Sequence, residues 1–309
     1  MKKVISVVLA LLMLCTFSVP AFAANQTPSV YSSYSIPSGT MRMIAHSGYA
    51  AVAPENTLAA YRAAGASDFW GAECDIHRTK DGVWILMHDD TVDRMTDGTG
   101  AVSEMTYDEI RALRIDAGSN IENYPDEKVP TLSEYLDVCK EFDLHPVIEI
   151  KAGADPDTLD EVTAILDASA EKDMCVVISF GREICVRMKE LMPALPVYYL
   201  IGYEDVTQED IDFAADNGLD GMDIHVFLPD DYVKAVQAAG LDIIVWTIDD
   251  IDNANRFYKL GVTAITTNSL TQEEPEGNGF QRLLWKLRDF FYQLKLRLRA
   301  FFRLDETIS

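Results

Sequence analysis

The sequence at residues 71–90, GAECDIHRTKDGVWILMHDD, decides the fold that the rest of the chain can form. It contains two apolar runs, Gly71–Ile76 and Val83–His88, separated by the turn-forming segment Thr79–Gly82. A parallel pair of strands needs a crossover of a dozen or more residues, and none fits between these runs. The stretch therefore predicts an antiparallel hairpin.

Seven further apolar runs alternate with amphipathic helical patterns along the chain. These runs are Met41–His46, Pro146–Lys151, Cys175–Phe180, Pro196–Ile201, Gly221–His225, Asp242–Ile248 and Thr263–Thr267. Repetition of strand, helix and strand implies parallel pairing in a single α/β domain. Without the return arm of the hairpin, eight parallel strands over about 230 residues match a (β/α)₈ TIM barrel. A doubly wound open sheet is the alternative, but no glycine-rich phosphate loop follows the first strand.

The barrel is predicted over residues 41–271, with other kinds of segment before, within and after it. Residues 1–23 combine two lysines, a short apolar run and an Ala-Phe-Ala end, which is the pattern of a secretory signal peptide. We therefore expect a protein that is secreted or held at the cell surface. Segment 89–128 is rich in turn residues and charges, and it predicts a small insertion at the C-terminal face of the barrel.

The charge of the chain is unevenly distributed. The formal net charge is −24, from 26 Lys plus Arg and 50 Asp plus Glu, which argues against nucleic acid as a partner. A linker is predicted at 272–279, and residues 280–304 then carry seven basic residues and an apolar stripe at helical spacing. This helix either packs on the barrel or lies on an anionic membrane surface, and we favour the membrane because the linker detaches it.

Charged side chains end the predicted strands where a barrel enzyme places its reactive residues. Glu73 and Asp75 share one strand face because they are two residues apart, and Glu149 and Lys151 share a face of a later strand. Three carboxylates on adjacent strands repel one another unless a hard divalent cation neutralises them. The sequence therefore predicts a metal site made by Glu73, Asp75 and Glu149.

Two histidines are predicted to flank this cation, His46 at the end of the first strand and His88 at the end of the hairpin. A two-residue turn centred on Lys80-Asp81 pairs His88 with Glu73, although a register shift of one residue would turn His88 to the other face of the hairpin. Two imidazoles suit general acid–base catalysis near neutral pH. With the fixed charge of Lys151, the set suits a phosphodiester substrate.

From about Met43 to Asn268 the sequence resembles the glycerophosphodiester phosphodiesterase family. The shared motifs are Ile44–Tyr49, Ala53–Thr57, Glu73-Cys74-Asp75, Thr79–Gly82, His88-Asp89, Glu149-Ile150-Lys151, Ile178-Ser179-Phe180 and Val245-Trp246-Thr247. Each motif is weak alone, but their order and spacing together are specific. The resemblance implies a TIM-barrel hydrolase that uses Ca²⁺ or Mg²⁺ and cuts small-molecule or lipid-derived phosphodiesters to an alcohol and glycerol phosphate.

The resemblance also implies a role for each site residue. The acid–base pair would be His46 and His88. Lys151 would hold phosphate, and Trp246 would form a wall of the glycerol pocket. The metal ligands would be Glu73, Asp75 and Glu149.

Two positions depart from the family pattern. Ser47 follows the first catalytic histidine, where the family usually has an arginine that would grip phosphate. Asn268 stands where an aspartate is usual. Neither change touches the acid–base or metal residues, so the hydrolase prediction stands. Ser47 leaves one alternative open, a weak or inactive barrel that binds phospholipid or glycerol-phosphate polymer at the membrane surface.

Several other polar residues receive structural interpretations. Asn56 or Thr57 is predicted to cap the helix that starts at Leu58, although the neighbouring Glu55 can also orient a site residue. His77 and His145 are interpreted as ordinary turn or strand-entry residues. His225 is predicted to end a strand near the barrel mouth.

Overall fold

The computed structural model describes residues 41–67, 69–204 and 206–271, and these residues form a closed barrel of eight parallel strands. The strands are β1 Arg42–Ala45, β2 Gly71–Arg78, β3 Trp84–Leu86, β4 His145–Ile150, β5 Val176–Ser179, β6 Val197–Ile201, β7 Gly221–His225, β8 Asp242–Trp246 and β9 Ala264–Thr267. Only β3 pairs antiparallel, with β2. The barrel closes where β1 pairs with both β2 and β9. The predicted (β/α)₈ barrel is confirmed.

Helices alternate with the strands. The α-helices of the described residues are α1 Leu58–Ala66, α2 Tyr107–Ala112, α3 Leu132–Phe142, α4 Leu159–Ala168, α5 Arg182–Leu191, α6 Gln208–Asp216, α7 Asp230–Ala238 and α8 Ile251–Lys259. Threonine hydroxyls at Thr57, Thr106 and Thr131 begin α1, α2 and α3, because each accepts an otherwise unpaired N–H of the first turn.

Aliphatic side chains fill the barrel interior below its mouth. Alternate residues of each strand point inward, so the interior cluster takes one residue of every two. Its members include Ile44, Val147, Val176, Ile178, Tyr198, Leu200, Ile244 and Ala264. Burying each such aliphatic side chain stabilises the fold by roughly 1.5–3 kcal/mol. This packed floor fixes the strands whose upper ends carry the polar residues of the site.

The hairpin that decides the fold has a register one residue away from the predicted one. Ile76 lies opposite Leu86, and the Met87 N–H donates to the Asp75 carbonyl at 3.0 Å. The prediction that His88 faces Glu73 across the ladder was therefore wrong. Because β3 ends at Leu86, His88 lies beyond the ladder and its side chain does not follow the alternation of the strand.

The turn explains this shift. The Thr79 N–H donates to the Val83 carbonyl at 2.9 Å, so three residues lie in the loop, and the prediction was centred on two. The third of them, Gly82, has a φ of +87°, which a glycine adopts without strain. A three-residue loop with a left-handed glycine is a common hairpin connection, and it moves every pair by one residue.

The region after β3 contains α2 and two short 3₁₀ turns, Val102–Glu104 and Ile121–Asn123. Its side chains pack with Ile85 of β3 in a second apolar cluster, which includes Val92, Met95 and Ile110. Among the described residues, no helix is both long and apolar enough to cross a bilayer. The predicted signal peptide at 1–23, the linker at 272–279 and the basic amphipathic helix at 280–304 lie outside the described residues.

Candidate active site

A cavity of about 370 Å³ opens at the C-terminal end of the barrel. Six of the seven predicted site residues line it: His46, Glu73, His88, Glu149, Lys151 and Trp246. The seventh, Asp75, is fully buried beside them and contacts Lys151. Because carboxyl ends of parallel strands meet at one face, residues far apart in sequence converge here.

Three buried carboxyl groups form the centre of the site. One oxygen each from Glu73, Asp75 and Glu149 lies within 4.8 Å of the others. Asp75 and Glu149 are register partners on β2 and β4, which explains their proximity. Glu73 accepts from the Ser47 N–H at 2.7 Å through Oε2, whereas its buried Oε1 has no partner among the described residues. Such a set of oxygen ligands suits a hard divalent cation.

Lys151 binds two of these carboxyl groups, whose pKa values shift in opposite directions. Its Nζ bonds Asp75 and lies 2.9 Å from Glu149 Oε1. Burial alone would raise the pKa of Asp75, but Lys151 and then the two site histidines outweigh it and lower the value to about 2. Burial and then the charge of Asp75 raise the pKa of Glu149 to about 7, against the opposing effect of Lys151.

The charge crowding extends to Glu73. Burial, and then the charges of Asp75 and Glu149, raise the pKa of Glu73 well above its usual range. Without a cation, the site thus disfavours three simultaneous negative charges. A divalent cation would reverse this preference, which is how a metal site couples its affinity to pH.

Asp75 is held by residues from the loop after β1. Its Oδ2 accepts from Ser47 Oγ at 3.0 Å and from Asn56 Nδ2 at 2.7 Å. Asn56 Oδ1 in turn accepts from the Asp75 N–H at 3.1 Å and from the Tyr61 hydroxyl at 2.9 Å. Of the two predicted cap residues it is Thr57 that caps α1, which confirms the predicted cap and leaves Asn56 to hold Asp75.

Ser47 and Asn56 share a left-handed backbone conformation. Both have positive φ, 50° and 52°. This conformation turns the loop back over β2, and asparagine adopts it more readily than most residues. Ser47 takes the place of the usual arginine, and its hydroxyl and N–H bind the carboxylates. The residue thus supports the ligand set.

His46 is oriented by a neutral partner. Its Nδ1 lies 2.9 Å from Asn268 Oδ1. Asp249 fixes the amide, because it accepts from the Asn268 N–H and from Nδ2, both at 2.7 Å. The amide oxygen is therefore the atom that faces His46, and the ring donates to it from Nδ1.

His88 is oriented by a charged partner. Its Nδ1 lies 2.8 Å from Asp89 Oδ1. Arg94 donates to both oxygens of Asp89, at 2.7 and 2.9 Å, and to Glu55 Oε1 at 2.6 Å. Hydrogen bonds and charge from Arg94, together with His88, keep the pKa of Asp89 well below its usual range. The prediction did not include Arg94, because its partners are distant in sequence.

The other three histidines do not join the carboxyl cluster, and His145 lies at the opposite end of the barrel, where β4 begins. His225 packs edge-on against Trp246, with ring centroids 4.8 Å apart. His145 stacks on Trp70 at 3.9 Å, in keeping with a strand-entry role. His77 points towards Asp90 at 3.9 Å. Trp246 also packs edge-on against Phe180, with ring centroids 5.7 Å apart, so aromatic rings form one side of the cavity.

Comparisons with known proteins agree with this geometry. The model of the glycerophosphoryl diester phosphodiesterase family matches residues 46–272. Glycerophosphodiester phosphodiesterase 1 of Mus musculus is 30% identical over 269 residues, which cover 77% of this chain and 81% of that protein. A glycerophosphodiester phosphodiesterase of Bacillus subtilis is 31% identical over 251 residues, which cover 73% and 82%.

A solved structure gives the same result. An Oleispira antarctica phosphodiesterase in complex with the product sn-glycerol-3-phosphate is 29% identical, with a TM-score of 0.67 over 74% of this chain and 92% of that one. Fold and site together define a TIM-barrel enzyme with a carboxylate centre able to hold a divalent cation. The chain belongs to the glycerophosphoryl diester phosphodiesterase family, and it is a glycerophosphodiester phosphodiesterase.

Proposed function

We propose that the protein hydrolyses glycerophosphodiesters to an alcohol and glycerol phosphate by acid–base catalysis between His46 and His88. The observation that carries the proposal is the different partner of each ring within one cavity. His46 faces a neutral amide, whereas His88 faces a carboxylate. Two rings in different electrostatic settings suit two opposite proton transfers.

Ca²⁺ or Mg²⁺ would be held by Glu73, Asp75 and Glu149. The buried, unpartnered Oε1 of Glu73 and the 4.8 Å grouping of the three carboxyl groups fit such an ion. Once bound, the ion supplies positive charge that stabilises negative charge on the phosphoryl oxygens. Lys151 adds a second, fixed positive charge beside Glu149.

His46 suits the role of general base. Because its Nδ1 donates to the Asn268 amide oxygen, Nε2 of the neutral ring carries no proton and can accept one. The proton accepted there comes from the water molecule whose oxygen forms the new bond to phosphorus. Because Asp249 holds the Asn268 amide in one orientation, it also fixes which nitrogen of His46 carries the proton.

His88 suits the role of general acid. Its Nδ1 donates to the Asp89 carboxylate, so the proton that the ring can give away as an acid lies on Nε2. The remaining proton on Nε2 is given to the alcohol oxygen as the P–O bond to the alcohol breaks. Lys151 would bind the phosphate oxygens, and Trp246 would wall the glycerol side of the cavity.

Purified protein assayed on glycerophosphocholine with Ca²⁺ or Mg²⁺ tests this proposal. We expect turnover that chelation removes, and a loss of about 10²–10⁴-fold in kcat in His46→Ala and in His88→Ala. His145→Gln is the matched control, because that ring stacks on Trp70 outside the cavity. Hydrolysis unaffected by chelation and by both alanine variants would contradict the mechanism. Binding without turnover would instead support the inactive binder that Ser47 suggested.

We also propose that the protein is secreted or held at the cell surface, and that residues 280–304 bind an anionic membrane. The basic, apolar-striped sequence of that segment supports the proposal. Deletion of residues 277–309 should abolish sedimentation with phosphatidylserine-containing vesicles and spare hydrolysis of a soluble diester. Equal sedimentation of both proteins would contradict membrane binding by this segment.

A further inference from the structure

Four buried polar atoms of the described residues lack a hydrogen-bond partner and belong to residues that line the reaction cavity. They are Glu73 Oε1, Asp223 Oδ1, Trp246 Nε1 and Thr266 Oγ1. The first belongs to the carboxyl cluster. The other three come from β7, β8 and β9, which are consecutive strands of the barrel, so they form one continuous wall.

Asp223 is the unusual member of this wall. It is 1% exposed, and its register partners on the neighbouring strands are Leu200 and Ile244, both members of the apolar interior. No ion pair reaches it among residues 41–67, 69–204 and 206–271. Burial, and then the charge of Glu149, raise the pKa of Asp223 well above its usual range.

A buried polar atom without a partner is costly, and proteins rarely keep one without a reason. Here three such atoms lie in one wall of the cavity, where apolar side chains would make the folded protein more stable. Their chemistry is also complementary to a diol: the indole N–H donates, the threonine hydroxyl donates and accepts, and the carboxyl group accepts. The combination points to a ligand that carries neighbouring hydroxyl groups.

The depth of the wall identifies which part of the substrate reaches it. Asp223 precedes His225, the register partner of Trp246, by two residues on β7, so Asp223 lies one inward-facing layer below both rings and forms the deep end of the wall. An alcohol leaving group of variable size must project towards the mouth. The compact glycerol moiety is the part that fits below.

We propose that Asp223 and Thr266 extend the glycerol side of the cavity beyond Trp246 into a diol-binding wall, with Asp223 on the terminal hydroxyl of the glycerol moiety. This inference rests on the proposed function and names the residues that select glycerol. An analogue without that hydroxyl leaves Asp223 unpaired in the complex, which corresponds to a loss of affinity of roughly 10–100-fold.

Equilibrium binding tests the wall separately from turnover. Calorimetry with the full chain and Ca²⁺ compares sn-glycerol 3-phosphate with 2-hydroxypropyl phosphate, which lacks only the terminal hydroxyl. We expect wild type to bind the glycerol compound roughly 10–100-fold more tightly. Equal affinities would overturn the wall while leaving hydrolysis intact. Binding of neither compound would overturn the proposed function, and the wall with it.

Substitutions assign the selectivity to Asp223. Asp223→Leu, of similar size, should reduce the affinity ratio to about one, whereas Asp223→Asn should retain most of it because the amide still forms hydrogen bonds. Ile178→Val, on the opposite apolar wall, should change both affinities alike and keep the ratio. Equal weakening of both ligands in Asp223→Leu, with a lower melting temperature, would show a structural role and overturn the inference.

Discussion

Replacing Glu149 with glutamine should stabilise the metal-free protein at alkaline pH while removing its response to Ca²⁺. Glu149 is 8% exposed, and its carboxyl group lies beside the ionised Asp75. Lys151 bonds both groups, yet the pKa of Asp75 falls to about 2 while that of Glu149 rises to about 7, so within this pair Glu149 bears the charge crowding. A neutral amide of the same shape removes that crowding and keeps an acceptor for Lys151.

The magnitude follows from the pKa of Glu149, which rises from an ordinary value of 4.5 to about 7 in the folded chain. Below pH 4.5 the group is protonated in folded and unfolded chains alike. Between these values only the folded chain holds the proton, so stability falls as pH rises. Above about 7 both states are ionised, and the difference reaches about 3 kcal/mol, at about 1.4 kcal/mol per pH unit.

Urea unfolding in EDTA, at pH 5 and at pH 8, measures this effect. Glu149→Gln should exceed wild type in free energy of unfolding by about 3 kcal/mol at pH 8 and by much less at pH 5. Exposed Glu122→Gln is the matched control and should change neither value. Added Ca²⁺ should stabilise wild type but not Glu149→Gln. A variant no more stable than wild type at pH 8 would refute the reasoning.

Three further predictions concern the partners of the site. Arg94→Met should lower kcat by about tenfold with little change in KM, because Asp89 loses its hydrogen bonds and orients the acid poorly; steady-state kinetics would show it. Asn268→Ala should lower kcat by about 10–100-fold because the tautomer of His46 is no longer fixed, whereas an unchanged kcat would exclude that role. Ca²⁺ binding at pH 7 should release protons, since the pKa of Glu149 in the metal-free protein is about 7. The binding enthalpy measured by calorimetry should then depend on the ionisation enthalpy of the buffer. A binding enthalpy that is the same in all buffers would contradict proton release.

The sequence was sufficient for the barrel because hydrophobic periodicity reports burial directly. Each predicted strand overlaps an observed one, for example Asp242–Ile248 against Asp242–Trp246. The hairpin register was missed because one residue decides between two loop lengths, and only the Val83 carbonyl, which bonds Thr79, distinguishes them. His88 still reached the cavity because it lies past the end of its strand.

The candidate site was predicted less evenly. Six residues at or near strand ends could be placed by topology and Trp246 by the family resemblance, and all seven converge. The supporting residues Asn56, Arg94 and Asn268 could not be placed, because their partners lie in loops whose paths the pattern does not determine. One signal was available at Asp223: an acid amid apolar residues on a strand, in step with His225.

The order of strands has a geometric consequence for the two ends of the barrel. β1 enters at the closed bottom, whereas β9 ends at the open rim, where Asn268 touches His46. Residue 271, the last one described, follows three positions after Asn268. The described part of the chain therefore ends on the same side of the barrel as the cavity, and whatever is attached after residue 271 starts beside His46.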